Sequence, residues 1–368
     1  MSDVVFIYSD EIAVSCARLP KIEGRSLLVS ELVKAFELPE KMEIIAPTDV
    51  CGLQLADFHS KDYIATLQSC DALVDIDESK LHAHALEYDC PPFPKVYETV
   101  CRIAGSSITA AEELGYGTAK VAINWFGGWH HGLPNKAAGF CYVNDCVLAI
   151  RHLKNFFSKV LYVDLDLHHG DGVEQAFYSS PSVLCYSIHK HEPGFFPGTG
   201  ALTDIGEGKG TGYTVNIPLK DGATDASLWR VIDGTIDKVI SSFCPDVIVC
   251  QCGADGVAGD PHHAFSYTPD GMSRVVQRII SHGKPVLLLG GGGYNHANTA
   301  RTWTQITADV IGHAIPSDIP KHEYFCEYGP GFDMSVDVSN KRDTNDEQYL
   351  SSVIDFVNRS LKIHLPAS

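Results

Sequence analysis

The 368-residue sequence predicts a single α/β domain, residues 1–368, built on one parallel sheet of about eight strands with helices on both faces. Three observations carry this prediction. Short apolar runs rich in β-branched residues alternate with longer amphipathic stretches, the runs lack strict apolar/polar alternation, and no repeat, low-complexity tract or Pro/Ser-rich linker interrupts the order. Hydrophobic residues make up 45% and charged residues 20%, with mean hydropathy near zero, so there is ample apolar material for a large core.

In chain order the predicted strands are Val4–Tyr8, Lys120–Asn124, Val160–Leu165, Val183–Ile188, Tyr213–Pro218, Val247–Gln251 and Pro285–Leu289. The predicted helices are Ser26–Phe36, Lys61–Gln68, Tyr97–Glu113, Asn144–Phe156, Gly170–Phe177, Ala226–Ser242, Asp270–Ser281, Ala297–Ile311 and Glu347–Leu361. In such a sheet ligands bind beyond the carboxyl ends of the strands. The chemically suggestive residues cluster at those ends.

Composition narrows the function classes. A formal charge of −18 argues against direct nucleic-acid binding, which needs clustered Lys and Arg, and favours cationic partners. No run approaches the ~18 apolar residues of a membrane span, and Met1–Tyr8 reads as a first strand without a signal peptide's basic region, so a soluble intracellular protein is expected. Twelve cysteines are scattered from Cys16 to Cys326 without a CxxC pair, which suits reduced, buried thiols better than disulfides or a thiolate metal site.

The densest constellation is Tyr162-Val-Asp164-Leu-Asp166-Leu-His168-His169-Gly170-Asp171-Gly172. Alternation along an extended strand would send Asp164, Asp166 and His168 to one side, where Asp166 and His168 could grip one ion. A third ligand would come from another strand end, and Val247–Asp255 closes on an acid after a small-residue turn. One histidine with two carboxylates leaves a catalytic zinc open to water and substrate. A lone DxH would more often be a helix cap or buried ion pair. Three acids and two histidines within eight residues favour a metal.

Two further runs supply proton transfer and an electrophile. Asn124-Trp-Phe-Gly-Gly-Trp129-His130-His131-Gly132 follows a predicted strand, and Asp164 and Asp171 are available to fix histidine tautomers and raise their basicity. Leu287-Leu-Leu-Gly290-Gly-Gly-Gly293-Tyr294-Asn295 lacks the Lys of a phosphate loop but delivers a phenol suited to an oxyanion.

These runs together resemble the class I zinc-dependent histone deacetylases, within the wider arginase-like hydrolase fold. The matching segments are Asn124–His131, Gly139–Asp145, Tyr162–Glu174, Pro193–Gly200, Gln251–Pro261 and Leu287–Trp303, in the family's order, and the likeness runs from about Tyr8 to the Phe325–Phe332 region. The compact C-terminus and the Leu19-Pro-Lys21-Ile opening look closest to the histone deacetylase 8 type.

The resemblance implies hydrolysis of acetylated lysine in histones and other basic protein tails. Asp166, His168 and Asp255 would hold zinc, with ferrous iron as the other candidate. His131 would be general base and acid, oriented by Asp171, while His130, paired with Asp164, acts electrostatically. Tyr294 would stabilise the oxyanion. Phe140 and Phe196 would wall a tunnel, Gly139 would accept a hydrogen bond from the side-chain amide, and Asp89 would hold substrate backbone at the rim. Arg25 would guard an acetate-release cavity. Potassium would bind as a structural ion, the inner one through Asp164, Asp166, His168, Ser187 and Ile188 and the outer one through Phe177, Ser180, Val183 and Tyr213.

Three departures from the family pattern stand out. His262 occupies a tunnel-wall position where relatives usually carry Leu or Met. Pro261 replaces a basic residue that complexed class I members use for inositol phosphate. The basic run before Arg25 is also reduced, so activity without a large corepressor complex is expected, in nucleus and cytoplasm. The rival reading is an acetylpolyamine or other small-molecule amide deacetylase of the same fold, although no acidic gatekeeper stands at His262. A two-manganese ureohydrolase would need extra Asp and His ligands, and only one complete set is visible.

Overall fold

The computed structural model describes residues 3–71 and 77–365. Its centre is one eight-stranded, wholly parallel sheet: β1 (Val4–Ile7), β2 (Glu43–Ile45), β3 (Val121–Asn124), β4 (Val160–Asp164), β5 (Val183–Lys190), β6 (Thr214–Leu219), β7 (Val247–Gln251) and β8 (Val286–Leu289). The spatial order is β2-β1-β3-β8-β7-β4-β5-β6. The seven strands expected from the sequence are present, with ends shifted by a few residues.

Burial explains why the apolar runs lack alternation. Leu161, Val163, Ile248, Cys250 and Leu288 face one core cluster, while Val160, Tyr162, Val247, Val249 and Leu287 face another. Each strand is therefore apolar at successive positions, as a sheet covered on both sides requires. Helices Arg25–Ala35, Asp225–Phe243, Pro269–Ile280, His296–Val310 and Glu347–His364 contribute to the first cluster. Val96–Gly115 and Asp145–Leu153 cover the other face. Phe243 and Trp303 are each 1% exposed, and burying rings of that size is worth roughly 2–3 kcal/mol apiece.

Some elements were not foreseen. β2 is a three-residue edge strand whose Glu43 and Ile44 are exposed, so it carries no apolar run. Helices Asp10–Cys16, Gly52–Leu55 and Glu78–Ala83 are short, and the first relies on the Ser9 hydroxyl, which accepts the Ile12 N–H at 3.3 Å. The expectation that strand alternation aligns Asp166 and His168 needs correction, because β4 ends at Asp164. The next residues form bends held by side chains: Asp166 N–H donates to Asp164 Oδ1 at 3.1 Å and His168 N–H to Asp166 Oδ1 at 2.9 Å. No helix among the described residues is long and apolar enough to cross a membrane.

Candidate active site and metal centre

Sheet register brings the motifs together. Asn124 pairs with Leu289, Leu289 with Gln251, Gln251 with Asp164 and Asp164 with Ser187, so four adjacent strands end level and their loops meet. The β4 and β7 loops bring Asp166, His168 and Asp255 together, with one ligand atom from each inside 4.8 Å of the others. His168 Nδ1 lies 2.9 Å from Asp255 Oδ2 and 3.3 Å from Asp166 Oδ1, and all three residues are buried.

These donors fit a cation. Burial pushes His168 down, but hydrogen bonds and charge from Asp166 and Asp255 outweigh it and lift the imidazole to about 10. Burial penalises the Asp166 carboxylate, yet His130 and His168 hold it well below the usual range. Asp255 is pushed up by burial and by Asp166. Two buried carboxylates thus compete for one positive charge, the condition a metal relieves.

The surrounding backbone fixes the carboxylates. Asp166 Oδ2 accepts from Gln251 Nε2 at 2.8 Å and Gly292 N–H at 2.9 Å, and Asp255 Oδ1 accepts from Leu167 N–H at 2.9 Å. A Cβ on Gly292 would lie 2.4 Å from Asp255 Oδ2, so that approach requires glycine.

Two histidine dyads stand beside this triad. His130 Nδ1 is 2.7 Å from Asp164 Oδ2, and His131 Nδ1 is 2.7 Å from Asp171 Oδ1. Burial lowers both rings. For His130 the Asp164 and Asp166 charges win and raise it to about 9. For His131, burial and the neighbouring His130 win, and it falls to about 4. His131 is therefore neutral at pH 7, with Nδ1 engaged by Asp171 and Nε2 able to take a proton.

A cavity of about 170 Å³ opens over His131 and His168, lined by Asp89, Gly139, Phe140, Phe196, His262 and Tyr294. Gly139 and Phe140 both adopt left-handed backbone (φ 50° and 67°), which is uncommon for a residue as bulky as phenylalanine. The Phe140 ring meets Tyr294 edge-on at 5.6 Å, and Phe196 meets His131 edge-on at 4.9 Å. His262 lies 4.8 Å from the His168 ring and 4.9 Å from the Tyr294 ring. Burial raises the Tyr294 phenol well above its ordinary value, so it stays a hydrogen-bond donor.

Arg25 is buried behind this wall and donates to the Gly293 carbonyl at 2.9 Å. Its guanidinium lies against Trp303 and Trp129 beside a narrow, water-sized void of about 10 Å³. Of the residues expected to hold potassium, Ser187 stands opposite Asp164 in the sheet, followed by Ile188 in β5. Phe177, Ser180, Val183 and Tyr213 gather instead at the amino ends of β5 and β6. There Ser180 N–H donates to Phe177 C=O at 2.8 Å and Cys185 N–H to Tyr213 C=O at 2.9 Å.

Several contributors escaped the sequence reading. Gln251 orients Asp166, and Asp145 is fully buried and holds the Gly128 and Trp129 N–H groups at 3.0 and 2.8 Å. Phe195 lies parallel to His168 at 5.2 Å. Each sits inside a motif that was singled out, but its role is visible only in three dimensions.

The family model of the histone deacetylase domain matches residues 20–310. The chain is 41% identical over 362 residues to histone deacetylase 8 of Xenopus tropicalis, covering 98% of this chain and 97% of that protein. It is 42% identical over 359 residues to histone deacetylase 8 of Danio rerio, covering 98% and 95%. Against human histone deacetylase 1 it is 39% identical over 336 residues, covering 91% of this chain and 69% of that one. With that family's metal-dependent site assembled at the strand ends, the chain belongs to the histone deacetylases, as a lysine deacetylase of class I resembling the histone deacetylase 8 type.

Proposed function

We propose that this lysine deacetylase works through His131 and Tyr294 acting from opposite sides of one acetyl group in the 170 Å³ cavity. The observation that carries the reading is that both line this cavity directly over the Asp166–His168–Asp255 cluster. Those three residues would hold zinc, or ferrous iron in its place, which when bound supplies a Lewis acid for the amide carbonyl and acidifies water.

His131 Nε2 takes the proton of the attacking water and later returns one to the leaving lysine nitrogen, while Asp171 fixes the tautomer through Nδ1. The Tyr294 O–H donates to the carbonyl oxygen as it gains charge. His130, held by Asp164, contributes positive charge rather than proton transfer. Phe140 and Phe196 flank the neutral acyl-lysine stem, and product ammonium is disfavoured between them because burying an unpaired charge is costly. Gly139 accepts the side-chain amide N–H, Asp89 takes substrate backbone at the rim, and His262 makes one wall polar. Arg25 guards the void through which acetate leaves.

Potassium is taken as a structural ion, near Asp164, Asp166, His168, Ser187 and Ile188 and near Phe177, Ser180, Val183 and Tyr213. Residues 1–368 act as one catalytic unit, in nucleus and cytoplasm, without a large corepressor complex. Acidic net charge supports basic tails over nucleic acid as partners.

The test compares an acetyl-lysine histone peptide with an N-acetylpolyamine. Preference for the peptide and a loss of about 10²–10³ in kcat on Tyr294→Phe are expected. Preference for the polyamine would favour the small-molecule alternative, and full activity of Tyr294→Phe would overturn the mechanism.

A further inference from the structure

Asp260 is 2% exposed, and its carboxylate is shared between two parts of the site. Oδ2 accepts the Tyr294 N–H at 2.8 Å and the Asn295 N–H at 3.3 Å. Oδ1 accepts the His262 N–H at 3.0 Å and faces His262 Nδ1 at 2.8 Å. One buried acid therefore grips the backbone of the tyrosine that reaches the substrate carbonyl and both the backbone N–H and Nδ1 of the adjoining histidine on the cavity wall.

The surroundings make that grip consequential. Arg25 donates to the Gly293 carbonyl, the oxygen of the very peptide group whose N–H Asp260 accepts. The peptide leading into Tyr294 is thus held at both poles. It needs such anchoring because Gly293 has φ 138° and precedes the tyrosine in a run of four glycines with little conformational preference of their own. Two further bonds tie the same loops together: Asn295 Nδ2 donates to Gly259 C=O at 3.1 Å and Asn298 Nδ2 to Ala258 C=O at 2.8 Å. The His262 and Tyr294 rings meet at 4.9 Å, so the carboxylate fixes their spacing from behind while they face the cavity in front.

We propose that Asp260 is a positioning residue, which locks the Tyr294 hydroxyl at the reacting carbonyl and couples its placement to the His262 wall. It touches no substrate. Its contribution is the alignment of Tyr294, and misplacing a catalytic group by about 1 Å can cost on the order of 10²-fold in rate. Because Asp260 holds His262 and Tyr294 through separate oxygens, losing the His262 side-chain contact leaves Oδ1 with the His262 N–H alone, which gives the carboxylate more freedom to turn and loosens the tyrosine as well. The proposal rests on the role given to Tyr294 above.

The test is a kinetic cycle on the intact metal-loaded enzyme with an acetyl-lysine peptide, using Asp260→Asn, His262→Met and the double variant, with Tyr294→Phe as reference. In Asp260→Asn an amide donor must confront either the Tyr294 or the His262 N–H. The expected result is a fall of about 10- to 100-fold in kcat with KM changed less than about twofold, because a transition-state contact is lost. His262→Met alone should lower kcat by roughly threefold, and should add nothing in the Asp260→Asn background because the two share one bond network.

Equal multiplicative effects in both backgrounds, or a change confined to KM, would overturn the proposal. If Asp260→Asn does not fold, the His262→Gln variant decides. It keeps a side-chain donor to Asp260 and should recover part of the kcat that His262→Met loses, and equal losses in the two would refute the coupling. Should Tyr294→Phe itself remain active, the functional reading fails. Should Tyr294→Phe be inactive while Asp260→Asn keeps its kcat, only the positioning role fails.

Discussion

His130 and His131 are neighbours in the chain, each holds a carboxylate oxygen 2.7 Å from Nδ1, and they titrate in opposite directions. Burial lowers both. His130 Nε2 is 3.8 Å from Asp166, so a second carboxylate adds to Asp164 and the ring rises to about 9. His131 faces Asp171 alone, against the positive charge of His130, and falls to about 4. Dyad geometry therefore does not set protonation; the count of charges around each ring does. His131 lines the 170 Å³ cavity and is neutral at pH 7, whereas His130 lies beneath it and is lifted into the cationic range.

The largest effect should expose this difference directly. His131→Ala should lower kcat/KM by about 10³-fold, the loss of a general base, whereas His130→Ala should cost about tenfold, the loss of a nearby charge. Equal losses, measured with one peptide at saturating metal, would break the contrast and make the dyads a joint proton relay.

A third histidine isolates the burial effect. His59 is 2% exposed, accepts the Asn144 N–H at Nε2 and faces the Leu133 carbonyl with Nδ1, both at 3.0 Å, without a carboxylate in those contacts. Burial lowers it to about 4. The unfolded chain, with the ordinary value of about 6.5, then takes up the proton first as pH falls. Stability is accordingly intact above pH 6.5 and lost on the way down to pH 4, by about 2 kcal/mol between pH 7 and 5. Asn144 also grips the His130 and Gly132 carbonyls at 3.0 and 2.9 Å, so this loss reaches the catalytic loop. Urea unfolding of wild type and His59→Gln at both pH values checks it, and parallel slopes would remove His59 as the cause.

What the sequence made legible follows from range. The strands announce themselves because a doubly covered sheet makes each run apolar throughout, and the ligands, dyads and Tyr294 lie within a few residues of strand ends. β2 was missed because an edge strand with exposed Glu43 shows no such run. Gln251, Asp145 and Asp260 lie within the motifs without a readable role, because the site groups they hold, Asp166, Trp129 and Tyr294, are at least 16 residues away in sequence. The placement of Asp166 and His168 was right in outcome and wrong in cause. Their convergence comes from side-chain-capped bends rather than from the pleat.

His168 extends the comparison to a ring oriented partly by stacking. Its Nδ1 faces two carboxylates, while Phe195 lies parallel to its plane at 5.2 Å and 4°, with the Lys190 ammonium 4.9 Å from the Phe195 ring. Carboxylates set the charge of this imidazole, and the phenyl face sets its tilt. Stacked aromatic pairs contribute about 0.5–1.5 kcal/mol, so Phe195→Leu should weaken metal binding by roughly two- to tenfold while leaving kcat at saturating metal nearly unchanged. Competition with a metal buffer reads the first quantity and steady-state kinetics the second. A loss confined to kcat would mean that Phe195 shapes the tunnel rather than the ligand. Retained affinity with retained kcat would mean that the two carboxylates orient His168 without help.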